Sequence, residues 1–136
     1  MFQRKYVNIW GDNKTIIGAI EFSASEPFKL RLIDKHTGKL NFSCKSSDLF
    51  NCLVMLREQY LEKKNLMVQC NGARRDVYPS RMSRQMSGGL KAYRLRLGQP
   101  AERSQLLDIF DSVEDLSNIA TVKEQKEFYQ KWLSSF

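Results

Sequence analysis

Alternation of apolar and polar residues over the first 45 positions constrains the fold more than any other feature. Phe28, Leu30 and Leu32 alternate with Lys29 and Arg31, and Leu40, Phe42 and Cys44 alternate with Asn41, Ser43 and Lys45. A period of two is the pattern of a strand with one buried face. Upstream, Tyr6–Trp10 and the β-rich stretch from Thr15 to Ser23 flank the turn cluster Gly11-Asp12-Asn13. Asp34-Lys35-His36-Thr37-Gly38 reads as a hairpin loop in which Gly38 supplies positive φ. The spacing predicts four antiparallel strands in a meander.

The period then changes. Leu49, Leu53, Leu56 and Tyr60 recur at helical spacing after the N-cap candidates Ser46-Ser47-Asp48, which predicts a helix over 48–63. Leu66–Cys70 reads as a short buried strand, and Leu90–Leu97 as another in which Tyr93, Leu95 and Leu97 share one face. Residues 104–110 fit a short helix or a strand equally well. Thr121-Val122-Lys123-Glu124 is a capping box, and Gln125, Phe128, Tyr129, Trp132 and Leu133 form one face of the helix over 122–133 that it opens. No repeat, linker or low-complexity tract divides the 136 residues. The expectation is one α+β domain, a mainly antiparallel sheet of about six strands with two principal helices packed on one face.

Charge is uneven along the chain. The net charge is +7; residues 71–103 carry eight basic and two acidic side chains, whereas residues 104–136 carry three basic and six acidic ones. A positive field of this kind attracts phosphate or an acidic protein surface. It coincides with the segment Gly72–Gly89, about 18 residues of irregular pattern between two apolar strands, far beyond the ~4–6 residues of an ordinary connection. Ser80 is a candidate N-cap for a short helical turn that would put Arg81 and Arg84 on one face. With Arg74, Arg75 and the aromatic Tyr78, they make a candidate partner- or anion-binding cluster. The dense carboxylates Asp108, Asp111, Glu114 and Asp115 are a candidate second, acidic interaction face.

Recognisable chemistry is sparse. His36 is the sole histidine and falls in a turn, so a nucleophilic triad has one candidate base, in an exposed place. Cys44, Cys52 and Cys70 lack metal-ligand spacing and lie among apolar residues, so they read as reduced core thiols, with no metal and no cofactor expected. No phosphate-cradling glycine pattern occurs. The residues therefore predict a binding protein rather than an enzyme; a hydrolase with carboxylates gathered by the fold stays as a third option. No apolar stretch approaches the ~18 residues of a membrane span, and the first residues lack a signal-peptide core, which gives a cytoplasmic expectation with no membrane partner.

Two stretches carry a family resemblance. Gly72-Ala73-Arg74-Arg75-Asp76-Val77-Tyr78-Pro79-Ser80-Arg81-Met82 and Glu124-Gln125-Lys126-Glu127-Phe128-Tyr129-Gln130-Lys131-Trp132-Leu133 resemble segments of the small immunity proteins of bacterial contact-dependent growth inhibition and related polymorphic-toxin systems. The resemblance implies a stoichiometric binder of one cognate toxin protein, often a nuclease. Inhibitors of nucleases are often acidic, whereas this chain is basic. Either an acidic toxin surface meets residues 74–84, or a basic one meets residues 108–115. The alternative is a small nucleic-acid-binding protein using Arg74, Arg75, Arg81 and Arg84.

Overall fold

The computed structural model describes residues 2–136. Its largest sheet begins with a turn that only a few residue types favour. Asp12 and Asn13 both adopt the left-handed backbone, at φ 48° and 61°. Two consecutive residues of this kind match the right-handed twist of paired strands. They join β1 (Gln3–Gly11) to β2 (Lys14–Phe22) in unbroken register, with Tyr6 opposite Ala19. β3 (Phe28–Asp34) and β4 (Leu40–Ser46) continue the meander, with Leu30 opposite Cys44. A short β5 (Met67–Val68) adds to the free side of β1, giving the order β4-β3-β2-β1-β5.

A second, three-stranded antiparallel sheet is built from β6 (Val77–Tyr78), β7 (Lys91–Arg94) and β8 (Leu106–Asp108). The fold is α+β as the alternation predicts, but with eight strands in two sheets rather than about six. The additional strands are two or three residues long, too short to show a period. Leu106–Asp108 resolves as a strand after a 3₁₀ turn at Arg103–Gln105. β7 stops at Arg94, so Ala92 and Leu95 are the buried side chains and Leu97 is exposed, unlike the expected Tyr93-Leu95-Leu97 face.

Helix α1 (Leu49–Leu56) is capped by Asp48 and runs on through a π turn, Arg57–Leu61, and a 3₁₀ turn, Glu62–Lys64, to the left-handed Asn65. α2 (Arg81–Ser87) lies within the long irregular segment, and α3 (Val122–Leu133) starts at the complete Thr121–Glu124 capping box. The two principal helices divide their work. α1 packs on β3 and β4, while α3 packs on β6. One core joins both regions: Val7, Ile20, Phe22, Leu30 and Leu32 of the large sheet meet Leu49, Leu53 and Leu56, and continue to Val77, Ala92, Ile109 and Phe110. Residues 29 and 31 alternate with these buried positions, so the other face of the large sheet is turned away from α1. All three cysteines are free thiols. Among the described residues no helix is long and apolar enough to cross a membrane.

Candidate functional site

The long segment after β5 is held from below by a buried polar knot. Arg57, 2% exposed in the π turn, donates to the carbonyl oxygens of Gly72 (3.3 Å) and Ala120 (2.9 Å) and to Oε1 of Gln125 (2.7 Å). Gln125 Nε2 donates to the carbonyls of Gly72, Arg74 and Val77, each at 2.8 Å. Two amide hydrogens shared among three acceptors satisfy backbone groups that a loop would otherwise bury unpaired. Among the described residues no carboxylate pairs with Arg57. Burial lowers its pKa from the ordinary arginine value. The knot ties α1, residues 72–77 and α3 together. Glu62 adds a bond to the Val122 amide at the start of α3 (2.9 Å).

The segment is consequently structured rather than free. A 3₁₀ turn at Asn71–Ala73 leads to β6, and Arg74 bridges to Ile119. Tyr78 is enclosed by aromatic rings, edge-on to Phe50 (5.2 Å between centroids) and stacked on Tyr129 (4.0 Å). It is a packing residue at the base of α2. Ser80 caps α2 through the Ser83 amide (3.0 Å), as its sequence position predicts. At the other end Gly88 is left-handed, φ 62°, and its carbonyl accepts from the Leu49 amide (2.7 Å). Arg84 donates to Asp48 Oδ2 (2.7 Å) and lies over the Phe50 and Tyr78 rings. Asp48 thus caps α1 with one oxygen and pins α2 with the other.

The arginines expected to converge have separate tasks. Arg74 makes two 2.9 Å bonds to the Asp76 carboxylate, which also accepts from Arg94 (3.2 Å). Burial pushes the Asp76 carboxyl up, but the pairs with Arg74 and then Arg94 outweigh it and hold it below the usual range. Arg75 sits 3.6 Å from Glu124, half-exposed. Arg81 is exposed with no ion pair among the described residues. What α2 presents outward is therefore Arg81 with Met82 and Met86, 66% and 82% exposed. Sequence spacing places 82 and 86 on one helical face, but nothing local says that the face has no intramolecular partner.

The acidic residues are also used internally, with one exception. Asp108 accepts from the Phe110 amide and pairs with Lys91 (3.6 Å), and Asp111 pairs with Lys5 (2.9 Å). Asp115 caps a 3₁₀ turn through the Ser117 amide, which lowers its pKa. Glu114 is exposed. His36 lies in the β3–β4 turn, its amide bonded to Asp34 (2.8 Å). Burial pushes the Cys70 thiol up to about 11, which keeps it protonated at neutral pH. Among the described residues, no three His, Cys, Asp or Glu side chains cluster as metal ligands.

Compared with known families and with curated proteins, the chain matches no family model and no curated sequence.

Proposed function

We propose that this chain is a binding protein that neutralises a cognate bacterial toxin domain, possessing no chemistry of its own in that role and acting by stoichiometric non-covalent contact centred on α2. The observation that carries this reading is the ridge of Arg81, Met82 and Met86, exposed on a short helix that is fixed at both ends. Met and Arg are enriched where protein partners meet, and a preorganised patch loses little entropy on binding. Ser80, the Asp48–Arg84 pair and the Gly88 carbonyl supply that preorganisation. The resemblance of residues 72–82 and 124–133 to immunity proteins supplies the kind of partner. Of the two charge arrangements that resemblance leaves open, this geometry favours an acidic toxin surface against α2. Asp108, Asp111 and Asp115 are already engaged within the fold. The cytoplasm is the place of action that goes with this reading.

A phosphate cradle made from Arg74, Arg75, Arg81 and Arg84 is less favoured. It would have to break the pairs of Arg74 with Asp76 and of Arg84 with Asp48. The test is calorimetric titration with the C-terminal domain of the protein that the adjacent open reading frame encodes. One-to-one binding, weakened about 100-fold by Arg81→Glu with Met86→Asp while circular dichroism is unchanged, supports the reading. No heat with the neighbouring domain, or affinity indifferent to both substitutions, overturns it.

A further inference from the structure

Five cations and a single carboxylate share the bare face of the large sheet. Lys29 on β3 lies directly opposite Lys45 on β4, and both are exposed. Like charges opposed across a strand pair destabilise a sheet. Neither lysine has an ion pair among the described residues. Glu26, in the connection between β2 and β3, shares a neighbouring hollow with Lys45 without pairing with it. In the adjacent row across the sheet, Arg4 and Arg31 both bond to the one carboxylate of Glu21. Those bonds, Arg4 first and then Arg31, hold its pKa down. Lys35 adds a fifth cation, over the ring of Tyr6 (5.1 Å). By contrast, Arg74, Arg75, Arg84, Lys91 and Arg94 each have a carboxylate partner.

Three of these cations, Lys29, Arg31 and Lys45, line an open hollow of about 450 Å³ together with Phe2 and Ser43. The Arg31 guanidinium lies 4.1 Å from the centre of the Phe2 ring. Tyr6 is 51% exposed, on the same face as Arg4. Cations spaced across a sheet face, with an aromatic ring and a stacked guanidinium among them, suit a chain of phosphates carrying unstacked bases. A duplex would offer its phosphates but no base faces to these rings.

We infer that the outer face of β1–β4 binds single-stranded nucleic acid, with Lys29 and Lys45 contacting backbone phosphate and the Phe2–Arg31 stack and Tyr6 contacting bases. This site lies on a different face of the sheet from α1 and does not depend on the α2 reading. The Lys29–Lys45 opposition is the feature that binding explains, because a phosphate between two ammonium groups relieves their repulsion.

The experiment measures anisotropy of a fluorescein-labelled twelve-residue oligothymidylate at increasing salt, with thermal melting of each protein. Lys45→Glu turns a repulsive cross-strand pair into an attractive one. It is expected to raise Tm by about 2 °C while weakening oligonucleotide binding about tenfold. The log–log salt slope falls by about 0.7 for the phosphate contact removed. A purely structural role for Lys45 cannot lower binding and raise stability together. Arg81→Glu, on α2, is expected to leave binding within about twofold. Absent binding at low salt, equal affinity for a duplex of the same length, or full retention by Lys45→Glu overturns the inference. So does adenosine monophosphate competing as well, per molecule, as the unlabelled oligonucleotide, since that would identify a mononucleotide pocket.

Discussion

At the scale of the residue, a guanidinium buried without a carboxylate is unusual, and Arg57 is tolerated because three oxygen acceptors surround it. Gln125 makes that arrangement possible, since its Oε1 accepts from Arg57 while its Nε2 serves three carbonyls. Gln125→Leu conserves volume and removes every one of these bonds. Its expected cost is about 3 kcal/mol, a fall in Tm of about 10 °C by calorimetry. Asp76 supports a second prediction. Its carboxyl is held below the usual range by Arg74 and Arg94 once burial is outweighed. A depressed pKa contributes stability above the unfolded value near 3.9, and that stability is lost as pH falls through the folded pKa. Asp76→Asn should cost about 2 kcal/mol at pH 7 in chemical denaturation, and the gap to the unmodified protein should close below about pH 4. The capping box at Thr121 and Glu124 was legible in the sequence because its partners are three residues apart. Gln125 is placed on the inner face of α3 by the same periodicity. Its acceptors lie some 50 residues away, beyond anything local spacing encodes.

At the scale of the element, the meander of β1–β4 was legible for a simple reason: each strand is long enough to show a period of two. In the second sheet β6 and β8 are two and three residues long and carry no period, so that sheet was not. The segment 72–89 stands out in the sequence by its length. Its irregular sequence hides a 3₁₀ turn, a strand and a helix, because tertiary bonds to Gln125 and Arg57 replace local repetition. Within it, α2 was marked by Ser80, while the Asp48–Arg84 pin required the fold. Gly89 tests the seating of this helix. Its φ is +78°, and a Cβ there would stand 2.9 Å from the Phe50 backbone nitrogen. Gly89→Ala is expected to cost about 2 kcal/mol in urea denaturation. It should also raise amide exchange across 80–88 more than in β1–β4, since it lifts α2 from the start of α1.

At the scale of the molecule, composition announced a basic protein, yet the placement of its charge could not be read from regional counts. The most basic stretch, 71–103, spends much of its charge on Asp48, Asp76, Asp108 and Glu124. The exposed remainder there is Arg81, Arg96 and Arg103, of which Arg81 sits beside Met82 on α2. Three of the four residues in the candidate acidic face are likewise drawn into the fold, through contacts that span up to 106 positions. The central claim is that the α2 ridge is where a toxin domain docks. Hydrogen–deuterium exchange of the chain, alone and with the C-terminal domain that the adjacent open reading frame encodes, tests that claim most directly. The account predicts new protection centred on residues 80–88, with residues 108–115 unchanged. Protection confined to 108–115, or none anywhere at saturating partner, would contradict it.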